Sequence, residues 1–267
     1  MIMISTDRCL LLEGAHNFRD FGGYDTIDGR TLRRGVLFRS DALDKLTERD
    51  HEVLEPLGIR TICDLRRSKE SEKAPTQWRH PGARVLQMSM FSEGGPTFAE
   101  KIAALGEELN AKVLRKFTLS TYITLLTSEQ AHRRYREIFT LLADDGGVPI
   151  LVHCSGGKDR TGMVCALTQW VLGVHRDDII SDYLSSQSLY GDKVGTASIP
   201  PQMMEMKGFA ELGPEVLKIL FGVQQDYIEG VFSWLDDNGI TPDNFLSDLL
   251  GMDPALRGQL QRNLLEV

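Results

Sequence analysis

The stretch that most limits the fold is residues 148–172. It holds an almost wholly apolar run at 148–154 (VPILVHC), a short polar loop, and a second run at 160–172 that is apolar nearly all round. A short apolar run of this kind reads as a strand buried on both faces. A helix without a polar stripe reads as buried on every side. A buried strand feeding a buried helix belongs to a sheet covered by helices. The expected class is therefore α/β, with a mainly parallel central sheet flanked by helices. With 267 residues, 42% of them hydrophobic, the chain can bury a full core without metal or disulfide staples.

The rest of the chain fits that frame. Residues 59–65 (IRTICDL) and 84–90 (RVLQMSM) read as strands, and residues 14–40 as loop-rich, with turn signals at Gly22-Gly23 and Asp28-Gly29. A helix is expected from Thr47-Glu48-Arg49-Asp50 to near Gly58. Another runs from Thr97 on the spacing of Phe98, Ile102, Leu105, Leu109, Val113 and Phe117. Thr127-Ser128-Glu129-Gln130 has the pattern of a capping box for the next. Gly173 is expected to end the central buried helix, and one more helix ends near Tyr190. Residues 191–213 lose all periodicity; with Pro200-Pro201 and Met203, Met204 and Met206 they read either as a mobile lid or as a connector. The C-terminal part is helical again from Pro214, with new starts at Thr241-Pro242 and Asp253-Pro254. No repeat or linker interrupts the chain, so residues 1–267 read as one domain.

The loop itself is His153-Cys154-Ser155-Gly156-Gly157-Lys158-Asp159-Arg160-Thr161-Gly162. It stands at the carboxyl end of a strand and the amino end of a helix, where open α/β folds bind ligands. The helix start offers unpaired N–H groups and positive dipole character, both favourable to an anion. Gly156 and Gly157 allow successive N–H groups to converge. Arg160 adds a planar fork for two oxygens of one phosphate. Residues Ser155, Gly156, Gly157, Lys158, Asp159 and Arg160 are thus the candidate phosphate cradle.

Cys154 opens that ring, in the kind of surroundings that lower a thiol pKa from about 8.5 to between roughly 3.5 and 7.5. A thiolate there can attack phosphorus and form a cysteinyl-phosphate that water then releases. Thr161 is placed to give its hydroxyl to the sulfur as it leaves, and His153 to hold the loop through backbone hydrogen bonds. Roughly one cysteine in twenty has an arginine six residues on by chance. The other three cysteines, Cys9, Cys63 and Cys165, have Ala15, Lys69 and Val171 there.

Competing loops fail on particular residues. A nucleotide-binding Walker loop needs Gly-x4-Gly-Lys-Ser/Thr, but Asp159 follows Lys158 and Val152 holds the first glycine position. The six histidines form no His-x-x-x-His pair, so no metal and no cofactor are expected. A net charge of −8 argues against nucleic acid as partner. No run reaches the roughly 18 to 20 apolar residues of a spanning helix, so no stable membrane insertion is expected. Four scattered cysteines and an N-terminus without the pattern of a signal peptide make the cytoplasm the expected address, with export by another route left open.

Cys-x5-Arg-Thr resembles the signature loop of the protein tyrosine phosphatase superfamily, and His-Cys-x-x-Gly-Lys-Asp-Arg-Thr-Gly resembles its bacterial tyrosine/serine phosphatase branch. Asn17-Phe18-Arg19-Asp20-Phe21-Gly22-Gly23-Tyr24 and Gly35-Val36-Leu37-Phe38-Arg39-Ser40-Asp41-Ala42-Leu43 resemble the N-terminal signature of that branch. Leu57-Gly58-Ile59-Arg60-Thr61 and Asp64-Leu65-Arg66 resemble its first core strand; Asp182-Tyr183-Leu184 and Gly222-Val223-Gln224-Gln225-Asp226-Tyr227 resemble its C-terminal helices. Members act on phosphotyrosine, phosphoserine/threonine and phosphoinositides. The chain lacks the Trp-Pro-Asp motif that carries the general acid in better-known tyrosine phosphatases, and the resemblance puts Asp159 in that role. Asp64, at the end of the first core strand, and Glu93 are the other carboxyl candidates; Asp64 equally reads as an acceptor that orients Arg160.

The substrate classes rank as phosphoprotein, then a small phosphomonoester metabolite, with phosphoinositide close behind. A phosphate-binding module without activity is the reading from a different class, and the joint presence of Cys154, Arg160 and Thr161 opposes it. Lys158 reads either as an extra cation for multiply phosphorylated substrates or as a rim partner of Asp159 or Glu70. Arg60, Arg66, Arg67, Lys69 and Lys73 read as a basic lip or a solvated face, and Cys63 as a redox partner of Cys154 or an inert core thiol.

Overall fold

The computed structural model describes residues 8–106, 109–191 and 214–267. The strands in chain order are β1 (Arg19–Asp20), β2 (Thr31–Leu32), β3 (Leu37–Ser40), β4 (Thr61–Asp64), β5 (Arg84–Gln87), β6 (Ile150–His153) and β7 (Leu265–Glu266). Five of them form one sheet in the order β1-β3-β6-β4-β5. The inner pairings β3·β6, β6·β4 and β4·β5 are parallel, and only β1 at the edge runs antiparallel. The mainly parallel sheet expected from the sequence is the sheet observed. A separate ribbon pairs β2 with β7 and ties the C-terminus to the N-terminal third.

Alternation along the strands divides the core. Leu37, Cys63, Ile150 and Val152 face one cluster with Cys154 and Cys165, while Phe38, Ile62 and Leu151 face a second cluster with Phe18, Leu43 and Leu54. Successive side chains of a strand point to opposite faces, so β6 is covered on both. That explains why its sequence is apolar up to His153.

The helices are α1 (Glu48–Leu54), α2 (Ser68–Lys73), α3 (Phe98–Ala103), α4 (Ala111–Thr127), α5 (Glu129–Ala143), α6 (Asp159–Leu172), α7 (Arg176–Ser186), α8 (Pro214–Phe221), α9 (Gln225–Asp237) and α10 (Leu256–Leu264). Thr47 caps α1 in a reciprocal box with Asp50, as the sequence leads one to expect. Helix α6 buries every residue from Thr161 to Leu172 and ends where Gly173 turns left-handed at φ 88°. Only glycine adopts that conformation without a Cβ penalty.

Three expectations change. The single helix expected from Thr97 to Phe117 is two, α3 and α4, because Asn110 caps a new start by accepting from the Val113 N–H. Ser128 caps α5 alone, since the third helical position is Ala131, which has no side chain to complete a box. The loop-rich region 14–40 contains β3, a central strand. Its Arg39 and Ser40 are polar yet fully buried, so no apolar run announces it. The segment read as lid or connector, 191–213, lies outside the described residues except for Gly191.

Candidate active site

The loop between β6 and α6 is shaped from below. Asn17 Nδ2 donates to the carbonyls of Gly156 (3.1 Å) and Gly157 (3.0 Å), and Arg39 Nη2 donates to Gly157 as well (2.9 Å). The Ala42 N–H donates to the Ser155 carbonyl at 3.1 Å. In a trans peptide the C=O of one residue and the N–H of the next point in opposite directions. Holding three successive carbonyls down therefore turns the N–H groups of Gly156, Gly157 and Lys158 the other way. Gly157 makes the turn at φ 63°, and a Cβ there would sit 2.5 Å from the Ser40 carbonyl oxygen. Of the two glycines expected to shape the loop, only Gly157 takes a left-handed conformation.

Arg160 lies at the head of α6 with both terminal nitrogens on Glu70: Nη1 to Oε2 at 2.8 Å and Nη2 to Oε1 at 3.0 Å. Ser155 Oγ donates to the same carboxylate at 2.7 Å. Glu70 belongs to the first turn of α2, where it also accepts from the Arg67 N–H at 2.9 Å. Partial burial opposes its charge, but Arg160 and these hydrogen bonds outweigh that and hold Glu70 at about 2. Burial likewise opposes the Arg160 charge, and Cys154 and Glu70 outweigh it, so its pKa is raised. Cys154 itself is 2% exposed.

The three carboxyl candidates for the acid separate clearly. Asp159, in the loop, accepts from the Tyr122 hydroxyl at 2.7 Å, and Tyr122 in turn meets the Tyr183 hydroxyl at 2.6 Å. Burial and the nearby Asp159 raise the Tyr122 pKa, so it stays a neutral donor. Asp64 is 2% exposed and locked to Arg66 through two bonds of 2.8 and 2.7 Å, with Ser71 Oγ at 3.0 Å. Despite opposing burial, the Arg66 pairing holds it at about 2. It thus orients Arg66, not Arg160, and an enclosed carboxylate of that kind is a poor proton donor. Glu93 is exposed and accepts from the Ser68 N–H and hydroxyl at 3.1 Å each.

His153 is fully buried. Its Nε2 meets Thr76 Oγ1 at 3.2 Å, and its Nδ1 the Cys154 carbonyl at 3.4 Å. Burial pushes it down to about 4, against the pull of Asp64, so the ring is neutral at pH 7. Thr161 is buried, but among the described residues its hydroxyl has no hydrogen-bond partner, the Cys154 sulfur included. Lys158 does not pair with Glu70: its Nζ donates to the carbonyls of Leu220 (3.0 Å) and Gly222 (2.8 Å) at the end of α8, with Asp159 Oδ2 at 3.5 Å. Cys63 aligns with Val152 across β4·β6 and is a free thiol, pushed up to about 12 by burial. The basic lip is not continuous, because Arg66 is buried on Asp64 and Arg60 stands at the start of β4, bonded to the Asp145 carbonyl at 3.1 Å. Among the described residues no group of three or more His, Cys, Asp and Glu side chains is arranged to hold a metal ion.

Four residues of the site carried no role in the sequence reading: Asn17, Arg39, Tyr122 and, as partner of Arg160, Glu70. Arg39 and Asn17 stood in the resembling N-terminal segment, which was their only signal. Tyr122 had none.

The sequence matches the tyrosine phosphatase family over residues 10–266. A Cupriavidus necator protein named as a candidate tyrosine-protein phosphatase is 31% identical over 93% of this chain and 87% of its own. The triple specificity protein phosphatase PtpB of Mycobacterium tuberculosis is 29% identical over 89% of this chain and 92% of its own. The solved core catalytic domain of the PP-IP phosphatase SIW14 from S. cerevisiae shares 13% identity over 78% of this chain and 92% of its own, with a TM-score of 0.31, too slight a likeness to argue from.

Proposed function

The chain belongs to the tyrosine phosphatase family, and on that premise we propose that it hydrolyses phosphate monoesters through a cysteinyl-phosphate on Cys154, with phosphotyrosine proteins as first substrate class and phosphoserine/threonine proteins beside them. The observation that carries this reading is the pinned loop, whose carbonyls are held from below between Cys154 and Arg160 so that its N–H groups turn the other way. In the first step the sulfur attacks phosphorus, the S–P bond forms and the bond to the leaving oxygen breaks. Asp159 gives that oxygen its proton. In the second, water attacks phosphorus, Asp159 takes the proton back, and the S–P bond breaks to release phosphate. Loop amides and Arg160 supply the charge neutralisation that phosphoryl transfer requires. The breadth of substrate is supported by the relative named for triple specificity.

The experiment is a panel of phosphotyrosine peptides, phosphoserine peptides, phosphoinositides and sugar phosphates, each run with the protein and with Cys154→Ser. Phosphotyrosine peptides should be turned over fastest, with no turnover by Cys154→Ser, while that variant keeps vanadate binding. Substantial activity in Cys154→Ser would remove the cysteinyl-phosphate, and a faster rate on any other class would replace phosphotyrosine as first substrate.

A further inference from the structure

Beneath the loop two arginines share one carboxylate. Arg39 Nη1 reaches Asp182 Oδ2 at 2.6 Å and Arg19 Nε reaches Oδ1 at 3.2 Å, and the three side chains are 0%, 2% and 2% exposed. Two guanidinium groups against one carboxylate leave one positive charge without an answering negative one among the described residues, out of reach of solvent. Among the described residues, the other side chains that hydrogen-bond the trio are neutral, and the next charge outward, Arg8 stacked on the Tyr24 ring, is also positive. Ser186 Oγ accepts from Arg19 at 3.1 Å and from Arg39 at 3.3 Å, and the Asn17 side-chain oxygen accepts from Arg19. The Tyr24 phenol, 3.5 Å from Asp182, and the Cys165 thiol are both kept protonated by burial, the thiol pushed up to about 12. An unanswered buried charge is costly, so its retention asks for a reason.

The loop above has no spare charge of its own. Arg160 is answered by Glu70 and Lys158 stands near Asp159. His153 is neutral, and Asp64 is matched by Arg66. Arg39 points at this loop. It aligns with Val152 on the sheet face that packs against the cluster holding Cys154 and Cys165, its Nη2 holds the Gly157 carbonyl at 2.9 Å, and a Cβ on Gly162 would lie 3.6 Å from the same nitrogen. Cys154 therefore has the answered cation of Arg160 in its own loop and, below that loop, an arginine pair that shares a single carboxylate.

We propose that Arg39 is a positioning residue for the anion of this site: from below it fixes the Gly157 carbonyl and supplies the excess positive charge that holds either the Cys154 thiolate or the bound phosphoryl group. The proposal rests on Cys154 being the nucleophile. Asp182 then serves to hold both arginines in place at the cost of half their combined charge.

The test is the pH dependence of Cys154 alkylation by iodoacetamide, followed by mass spectrometry, in the wild type, Arg39→Gln and Arg39→Lys. Alkylation needs no turnover, so this readout is independent of whether the chain hydrolyses any phosphate ester. Arg39→Gln should move the half-maximal pH up by about one unit, and weaken competitive inhibition by inorganic phosphate about tenfold. Arg39→Lys, which keeps the charge and loses the fork, should stay within about threefold of wild type in phosphate inhibition and keep its alkylation midpoint. A Gln variant with the wild-type midpoint, or a Lys variant no better than Gln, overturns the role of charge. Should Arg39→Gln fail to fold, Asp182→Asn provides the opposite sign: removing the carboxylate raises the excess charge and should move the midpoint down, and an upward or absent shift overturns the proposal.

Discussion

Glu70 and Arg160 meet fork to fork, both carboxylate oxygens on both terminal guanidinium nitrogens, at 2.8 and 3.0 Å. The pair joins the first turn of α2 to the first turn of α6 and leaves the Nε edge of the guanidinium free of this carboxylate. Paired forks are directional as well as strong, so Glu70 sets the plane in which Arg160 meets a phosphate.

Glu70→Ala should therefore lower kcat/KM on an aryl phosphate by about ten- to a hundredfold, because loss of orientation near a reacting centre costs on that scale. The pair is partly exposed, so the melting temperature should move little. A variant with kcat/KM within twofold of wild type would show that the loop alone orients Arg160.

The acid assignment separates by leaving group. Asp159→Asn should lose most on a poor, alkyl-type leaving group and least on a good aryl one, and should lose the basic limb of the pH–rate profile. Tyr122→Phe, which removes the 2.7 Å bond to Asp159, should show the same trend more weakly. Asp64→Asn should instead cost stability, about 3–5 kcal/mol in urea unfolding, because it leaves Arg66 buried without its partner. Equal slowing of both substrates by Asp159→Asn would reduce Asp159 to a loop-shaping role.

His153 should make the fold acid-sensitive. Its folded value of about 4 lies below the 6.5 of the free side chain, so between these values the unfolded chain binds the proton more readily. Stability is then fully present above about pH 6.5 and falls as pH drops toward 4, by up to about 3 kcal/mol from this residue. The check is the urea midpoint at pH 7 and pH 5 in wild type and His153→Asn. The variant should lose less on acidification, and an equal loss in both would exclude His153 as the source.

Gly157→Ala should disable the loop without unfolding the protein. The left-handed turn costs an alanine about 1–3 kcal/mol, and the added carbon would stand 2.5 Å from the Ser40 carbonyl oxygen. The expected loss in kcat/KM is at least about a hundredfold, with a cooperative unfolding transition retained. Gly156→Ala, where no left-handed turn is made, should lose far less. Similar losses at both positions would contradict the assigned turn.

What the sequence determined by itself is the part of the site that is local. Strand, loop and helix lie within residues 148–172, and the N–H groups of a helix start, a turning glycine, the Cys and the Arg all act within ten positions. Apolar runs on either side announce their own burial, so β6, the loop and α6 could be read directly. Element ends could not, as α3 and α4 illustrate: periodicity continued across a break that Asn110 makes by one side-chain bond. The partners of the loop were beyond reach for a different reason. Glu70 is 90 residues from Arg160, Arg39 is 118 from Gly157 and Asn17 is 140 from it. A lone arginine in sequence reads as surface, because burying its charge is unfavourable until a particular carboxylate and carbonyl stand beside it. Only the packing of β3 against β6, with α7 behind them, brings Asp182 and Gly157 to Arg39. Chemistry was written locally, but the charge balance around it exists only once the chain has closed on itself.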